Sequence, residues 1–245
     1  MRNLFSKVIL GVFALGTSVV AFAQEEGSQL VQGGLHHELK RYFIDGSAFY
    51  NSIICIPLIF GLSICLERVI YLNLSEVNTT KLFKNVEEAL DKGDVETAKA
   101  VARDTKGPVA SIVYQGLMRI DQSEDVVERS VTSYGAVQSG LLEKNLSWIT
   151  LFIAILPSIG FIGTVVGMIL AFDKIQQVGD ISPTVVAGGM KVALITTITG
   201  LMSAITLQLI YNYLLSKLEA LINKMEDSTI SFMDLVVKYN LKYKK

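Results

Sequence analysis

The stretch PSIGFIGTVVGMILAF, residues 157–172, decides the fold of this chain. It carries no charge, and about 20 apolar residues suffice for a helix to cross a bilayer. Its three glycines recur at helical spacings of three and four, at Gly160, Gly163 and Gly167. Glycines at this spacing let a second helix approach closely, and Pro157, one turn earlier, loosens the backbone. We therefore expect a tightly packed transmembrane helix with one hydroxyl, Thr164, among its glycines.

The whole chain has the composition of a membrane protein. Of its 245 residues, 51% are hydrophobic and only 18% are charged, and the mean hydropathy is positive. Three apolar stretches are predicted to cross the membrane: residues 48–66, 146–172 and 184–215. The second and third exceed the minimum length, so we expect them to extend as helices into a helical cytoplasmic domain. The predicted fold class is an all-α membrane protein with three transmembrane helices.

The N-terminal segment, residues 1–23, is predicted to be a secretory signal peptide. Arg2 and Lys7 make a positive start, an apolar run follows, and AFA at 21–23 is a small-x-small cleavage site. An uncleaved anchor helix is the alternative, although the stretch is short for one. Export of the N-terminus makes residues 24–47 a periplasmic segment.

The distribution of lysine and arginine predicts the same orientation. Residues 67–145 hold ten basic residues and residues 216–245 hold six, whereas the loop at 173–183 holds one. Basic residues collect on the cytoplasmic side of a membrane. Residues 67–145 are therefore predicted to form a cytoplasmic helical domain, 216–245 a cytoplasmic C-terminal helix with a basic tail, and 173–183 a periplasmic loop.

The predicted cytoplasmic domain has helical patterns separated by local stop signals. Ser75 is the expected N-cap of its first helix, with Glu76 in the first turn. Gly107-Pro108 interrupts the pattern. A further helix is expected to start after Ser123 and to run without a break into the second span.

Several classes of function find no support in the sequence. The net charge of −1 offers no basic face, so we expect no nucleic-acid partner. No nucleophile–base arrangement, Walker loop or dinucleotide motif occurs, so we expect no enzymatic activity and no cofactor. His36 and His37 are the two histidines, and because adjacent residues on a helix face apart, a solvated segment is favoured there over a metal site.

The third span carries hydroxyls on two neighbouring helical faces: Thr196, Thr199, Ser203 and Thr206 on one, and Thr197, Gly200, Ala204, Gln208 and Tyr211 on the other. Two interpretations stay open. The hydroxyls bond back to carbonyls one turn earlier and mark only helix contacts, or they line a polar cavity or pore. Lys191, the one charge in this span, either extends to the outer interface or faces the pathway.

Neither of the two long spans has Asp, Glu or His in its central part. Intramembrane proton relays usually use such a group, and hydroxyls do not titrate near neutral pH. If protons cross the membrane here, the titrating carboxylate has to come from another chain.

Several segments resemble the ExbB/TolQ/MotA proton-channel family, and its ExbB-like branch in particular. PSIGFIGTVVGM at 157–168 is similar to the family's second-span motif, and VALITTITGLMSAITLQLIYN at 192–212 is similar to its third-span motif. Three further segments look like the cytoplasmic part of the ExbB/TolQ branch: LERVIYL at 66–72, GDVETAKAVA at 93–102 and GPVASIVYQGL at 107–117. The likeness covers roughly residues 48–235.

The resemblance implies a homopentamer in the lipid of the bacterial inner membrane, an oligomeric pore around two helices of an ExbD/TolR-type single-span partner. Proton flow through it would drive motion that a TonB-type protein passes on to outer-membrane transport. The resemblance places the family's pore threonines at Thr164 and Thr197, and the titrating aspartate on the partner. The glycines, Gly200 included, would then let the spans pack tightly around the central pair of helices.

Two positions depart from the family's pattern. Val192 stands where many ExbB members have a glutamate, and Thr206 where the family has a proline. The first departure removes a carboxylate from this part of the pore. A TolQ-like envelope-maintenance subunit, or a gliding or secretion motor subunit, would have the same pore chemistry. A non-conducting membrane scaffold would use the hydroxyls for packing only.

Overall fold

The structure is a computed structural model that describes residues 43–44, 46–179 and 183–243. The predicted signal peptide, residues 1–23, lies outside the described residues, as do His36, His37 and most of the predicted periplasmic segment. Residues 180–182 of the predicted loop and the last two residues of the basic tail lie outside them as well.

Within the described residues the chain is helical, with no strand. Seven helices of ten residues or more follow one another: α1 (Ala48–Leu74), α2 (Thr79–Asp91), α3 (Val95–Asp104), α4 (Pro108–Leu117), α5 (Glu124–Glu143), α6 (Leu146–Val178) and α7 (Pro183–Tyr243). The predicted all-α class is confirmed for this part of the chain.

Three of these helices, α1, α6 and α7, are long and apolar enough to cross a membrane, and they contain the three predicted spans. Helix α6 has 33 residues and α7 has 61. At 1.5 Å per residue they are about 50 Å and 90 Å long, whereas the hydrocarbon core of a bilayer is about 30 Å thick. The expected extension beyond the bilayer is therefore large. The predicted third span and the predicted C-terminal helix form one continuous helix.

Helices α6 and α7 pack side by side and run antiparallel, with Gly160 against Gly200 and, farther along, Gly167 against Ala193. Helix α1 packs on both of them. Its Gly61 lies in this contact, where a Cβ would be 2.7 Å from a terminal methyl group of Leu207. The buried side chains of Ile54, Leu156 and Leu207 come one from each of the three helices.

A second part of the core lies away from this three-helix contact, where α2–α5 pack one on the next and α2, α4 and α5 pack against the C-terminal half of α7. Its largest buried side chain is Phe232 on α7. Gly116 on α4 leaves room for this ring: a Cβ there would lie 2.6 Å from Phe232 Cζ and 2.9 Å from a methyl group of Val131. The packing of α4 and α5 against α7 thus depends on the shapes of these side chains as well as on the burial of apolar surface.

The predicted N-cap at Ser75 is wrong. The cap of α2 is Asn78, whose side chain accepts a hydrogen bond from the Lys81 N–H at 3.2 Å. Ser75 instead follows the last residue of α1, and its hydroxyl donates to the Tyr71 carbonyl at 2.9 Å. Ser75 therefore belongs to the helix before it, because a serine hydroxyl can satisfy a carbonyl as well as an amide.

Glu76 consequently joins the loop after α1 to the long helix α7. Its carboxylate accepts hydrogen bonds from the ammonium groups of Lys217 and, at 2.6 Å, Lys224. These two bonds lower the pKa of Glu76 from 4.5 to about 2. We call this three-residue contact the Glu76 clamp.

The expected unbroken helix from Ser123 into the second span is interrupted in the structure. Helix α5 ends at Glu143 and α6 begins at Leu146, so Lys144 and Asn145 form a turn between them. Asn145 has φ 69°, in the left-handed region that asparagine tolerates better than most residues. Because of this turn, α5 and the apolar helix α6 are two separate helices.

Candidate functional site

Helices α6 and α7 approach each other through glycine. Gly160 and Gly200 lie backbone to backbone, since a Cβ built on Gly200 would lie 3.1 Å from Gly160 Cα. The other two glycines of α6 pack farther along, Gly163 on the side chain of Thr196 and Gly167 on Ala193. This close approach brings polar groups of the two helices within hydrogen-bond distance of each other.

The two threonines predicted to line the pore meet at this contact. The Oγ1 atoms of Thr164 and Thr197 are hydrogen-bond partners, although the residues are 33 positions apart in the chain. Thr164 Oγ1 also lies 3.1 Å from the carbonyl oxygen of Ala193 on α7 and 3.3 Å from that of Gly160 on its own helix. Thr197 Oγ1 lies 3.2 Å from the same Ala193 oxygen.

A third hydroxyl reaches the Ala193 carbonyl. Thr196 Oγ1 donates to it at 2.9 Å and lies 3.2 Å from the Val192 carbonyl oxygen. Thr196 is completely buried, whereas Thr164 and Thr197 are only half-buried. Three threonine hydroxyls therefore lie within hydrogen-bond distance of the Ala193 carbonyl oxygen.

The hydroxyls differ in whether they bond only within their own helix. Thr199 and Thr206 each donate to the carbonyl one turn earlier, at 2.8 Å in both cases. Such back-bonding is ordinary for threonine in a membrane helix. Thr164 also bonds across to the neighbouring helix, so its hydroxyl joins α6 to α7. That the hydroxyls line a pore stays a prediction.

The threonine pair lies at the edge of the α6–α7 contact and remains partly accessible. Apolar side chains surround it on the accessible side: Phe161 is 65% exposed, Leu194 59% and Leu201 46%. The pair is thus a polar point in an apolar surface. Two hydroxyls can donate to and accept from water or a carboxylate there, but they do not themselves hold a proton charge near neutral pH.

Two further predicted residues lie on the same helices at some distance from the pair. Lys191 is exposed on α7, six residues before Thr197, which is about 9 Å along the helix. Pro157 lies inside α6, which continues through it. Because proline has no N–H, the carbonyl of Ile153 lacks its helical donor at this point.

Metal-binding groups do not accompany the site in the part of the chain that the structure describes. No group of three or more His, Cys, Asp or Glu there could hold a metal ion. The site consists of hydroxyl groups, a backbone carbonyl and the glycines that bring them together.

Sequence reasoning missed the Ala193 carbonyl and the hydrogen bond that Thr196 makes to it. Thr196 lies on a different helical face from Thr197, as the spacing predicts: it is turned toward Gly163, while Thr197 is turned toward Thr164. The available signal was the spacing, since hydroxyls at positions 196 and 197 both reach back to the carbonyl of residue 193.

Comparisons with known proteins agree with this architecture. A family model, described as the MotA/TolQ/ExbB proton channel family, matches residues 104–227. A biopolymer transport ExbB homolog from Methanothermobacter thermautotrophicus is 31% identical over 169 residues, which is 69% of this chain and 60% of that protein. The solved structure of C. jejuni MotAB has a similar fold, with a TM-score of 0.56, 18% identity, and coverage of 94% of this chain and 88% of the other.

Fold and site define a helical membrane protein whose two longest helices meet through glycine beside a threonine pair. The chain belongs to the MotA/TolQ/ExbB proton channel family, because the family model covers half of it. The predicted resemblance is confirmed at that level. The chain spans about three-fifths of the length of the ExbB homolog that it matches.

Proposed function

We propose that the chain is the channel subunit of an ion-driven motor of ExbB type, which uses the proton motive force to energise TonB-dependent outer-membrane transport. The observation that carries the proposal is the hydrogen-bonded pair of Thr164 and Thr197 in an otherwise apolar, partly accessible surface. Polar groups within a membrane are costly and are commonly kept for a function. A pair of hydroxyls with an open side suits the passage of a proton between ordered water molecules.

In this proposal the chain orients the proton path and a partner supplies the titrating group. An ExbD/TolR-type single-span helix would lie against the surface of Phe161 and Leu194 and bring its aspartate to the threonine pair. The hydroxyls would donate to that carboxylate, or to water next to it, and accept from water on the other side. The chain would thus act as a channel, not as an enzyme, and would need no cofactor.

The proposed assembly is a homopentamer around two partner helices in the bacterial inner membrane. The distribution of basic residues supports a periplasmic N-terminus and a cytoplasmic C-terminus. The cytoplasmic domain would then consist of α2–α5 with the far half of α7. A TonB-type protein would receive the work on the periplasmic side.

The test is proton flux into liposomes that contain the chain co-purified with its candidate single-span partner. Thr164→Val and Thr197→Val keep the side-chain shape and remove the hydroxyl, so each should lower the flux by roughly tenfold or more. Thr206→Val is the matched control, because Thr206 is exposed and lies nine residues from Thr197, on the opposite side of α7. Unchanged flux in both site variants would contradict the proposal.

A non-conducting scaffold is the second candidate, and the back-bonding of the hydroxyls favours it. Thr164 and Thr197 both have a carbonyl acceptor one turn earlier, as residues that serve only packing would. Native mass spectrometry of the extracted complex separates the two: a pentamer that holds two partner chains supports the motor, and a monomer or dimer that ignores them supports the scaffold. Restoration of TonB-dependent outer-membrane uptake in a bacterial strain that lacks its own ExbB subunit distinguishes the ExbB role from a TolQ-like or gliding role.

A further inference from the structure

The carbonyl oxygen of Ala193 has more donors than it can accept. The helical N–H of Thr197 points to it by α-helix geometry. Three hydroxyls also lie within reach: Thr196 at 2.9 Å, Thr164 at 3.1 Å and Thr197 at 3.2 Å. A carbonyl oxygen has two lone pairs. The three hydroxyls therefore cannot all donate to it at once.

The burial of each hydroxyl determines how much stability is lost when it has no acceptor. Thr196 is completely buried and has the shortest distance to it. A buried donor without a partner is destabilising, and the alternative acceptor of Thr196, the Val192 carbonyl, is farther away at 3.2 Å. Thr164 and Thr197 have each other and an accessible side.

Packing holds Thr196 in this place. A Cβ built on Gly163 would lie 2.7 Å from Thr196 Oγ1 and 2.8 Å from its Cβ, so the threonine occupies the space that the glycine leaves. The side chain is enclosed between α6 and its own helix. Its hydroxyl is thereby kept at the Ala193 carbonyl.

We propose that Thr196 is a positioning residue for the proton path: by occupying the Ala193 carbonyl, it leaves the hydroxyl protons of Thr164 and Thr197 available to each other and to water on the accessible side. This inference rests on the proposed channel function and deepens it. Thr196 touches neither the water nor the partner and acts only through the carbonyl that the pair would otherwise use.

Three substitutions at Thr196 separate this role from packing. Thr196→Val keeps the volume and removes the hydroxyl, Thr196→Ser keeps the hydroxyl and removes a methyl group, and Thr196→Ala removes both. We expect Thr196→Val and Thr196→Ala to lower proton flux about threefold to tenfold, the range that one redirected neutral hydrogen bond supports. Thr196→Ser should conduct nearly as the unchanged protein does. A packing role gives the opposite order, with Val tolerated and Ser impaired.

The control is Thr199→Val on the same helix. Thr199 donates to the Ile195 carbonyl within its own helix and is turned away from Thr197, so its loss should leave flux unchanged. All variants are compared as complexes with the partner, at equal recovery from the membrane. Flux in Thr196→Val equal to that of the unchanged protein, or failure of Thr196→Ser to conduct, overturns the inference.

Failure of this inference is distinguishable from failure of the proposed function. If the unchanged complex conducts protons and the Thr164→Val complex does not, the proposed channel function is supported, and this result does not depend on the Thr196 variants. If the unchanged complex carries no protons, the channel function itself is contradicted, and the inference is contradicted with it.

Discussion

Gly200 lies so close to α6 that a Cβ on it would be 2.7 Å from the carbonyl oxygen of Leu156. A glycine in a helix interior costs up to about 1 kcal/mol relative to alanine. Because Gly200 has no side chain, the backbones of α6 and α7 can come into close contact. This contact brings Thr164 within hydrogen-bond distance of Thr197.

Gly200→Ala should therefore destabilise the chain, although alanine is the better helix former. Overpacking of a close contact typically costs about 1–3 kcal/mol. The thermal midpoint of the detergent-solubilised protein measures it. Gly188→Ala is the control: Gly188 is on the same helix, and a Cβ on it would have no neighbouring atom within 4 Å, so its midpoint should stay level or rise. Equal midpoints for the two variants would contradict the packing argument.

Gly116→Ala should be similarly destabilising in the second part of the core, because the new methyl group meets the buried ring of Phe232. We expect a loss of about 1–3 kcal/mol, measured by thermal or denaturant unfolding. The double variant Gly116→Ala with Phe232→Leu should lose less than the two single losses together, since one substitution makes room for the other. Gly140→Ala on α5, with open space around it, serves as the control.

Replacement of Asn145 by glycine should destabilise the chain less than replacement by alanine. Its φ of 69° is a left-handed conformation, which costs a residue with a Cβ roughly 1–2 kcal/mol and costs glycine little. Both substitutions remove the hydrogen bond between the Asn145 side chain and Glu67, so the difference between them reports the backbone conformation. Asn145→Ala should lower the unfolding midpoint more than Asn145→Gly does. If alanine is tolerated as well as glycine, the turn between α5 and α6 is not held in this conformation.

The Glu76 clamp should make stability depend on pH in the acid range. The folded-state pKa is about 2 and the ordinary value is 4.5, so the clamp stabilises the folded chain fully above about pH 4.5. That contribution is lost as the pH falls toward 2. Because the carboxylate is 40% exposed, we expect only about 0.5–1 kcal/mol.

Glu76→Gln is the variant that tests the clamp. Unfolding midpoints of the unchanged protein and of this variant should differ at pH 6 and converge as the pH approaches 2. Lys224→Gln, which removes one of the two positive charges beside Glu76, should give a smaller difference at pH 6. A difference that stays constant from pH 6 to pH 2 would show that the charge of Glu76 is not involved.

Much of the membrane part could be predicted from the sequence, because an apolar run of about 20 residues without charge is long enough to cross a bilayer and uncommon in soluble domains. The spacing of Gly160, Gly163 and Gly167 likewise indicated a contact face, and in the structure these residues lie against α7. Both signals are local and periodic, so a single sequence carries them.

Other features depend on partners distant in the sequence. The turn at Lys144 and Asn145 contains no glycine or proline, which are the usual sequence signals of a turn. Asparagine is compatible with both a helix and a left-handed turn. Ser75 has the residue type of an N-cap, but its hydroxyl bonds to the helix behind it. The sharing of one carbonyl by Thr164 and Thr196 depends on the relative placement of two helices, which periodicity does not contain.

Helix α7 has neither glycine nor proline from Leu201 to Tyr243. Bends in long helices concentrate at those residues, so this stretch, about 65 Å long, has no built-in joint. One end adjoins Gly200 and the threonine pair, and at the other the Tyr243 hydroxyl donates to the Asp91 carbonyl at the end of α2 at 2.8 Å. If α7 turned about its axis at the threonines, the turn would therefore reach the contact with α2, over a distance greater than the hydrocarbon core of a bilayer, about 30 Å.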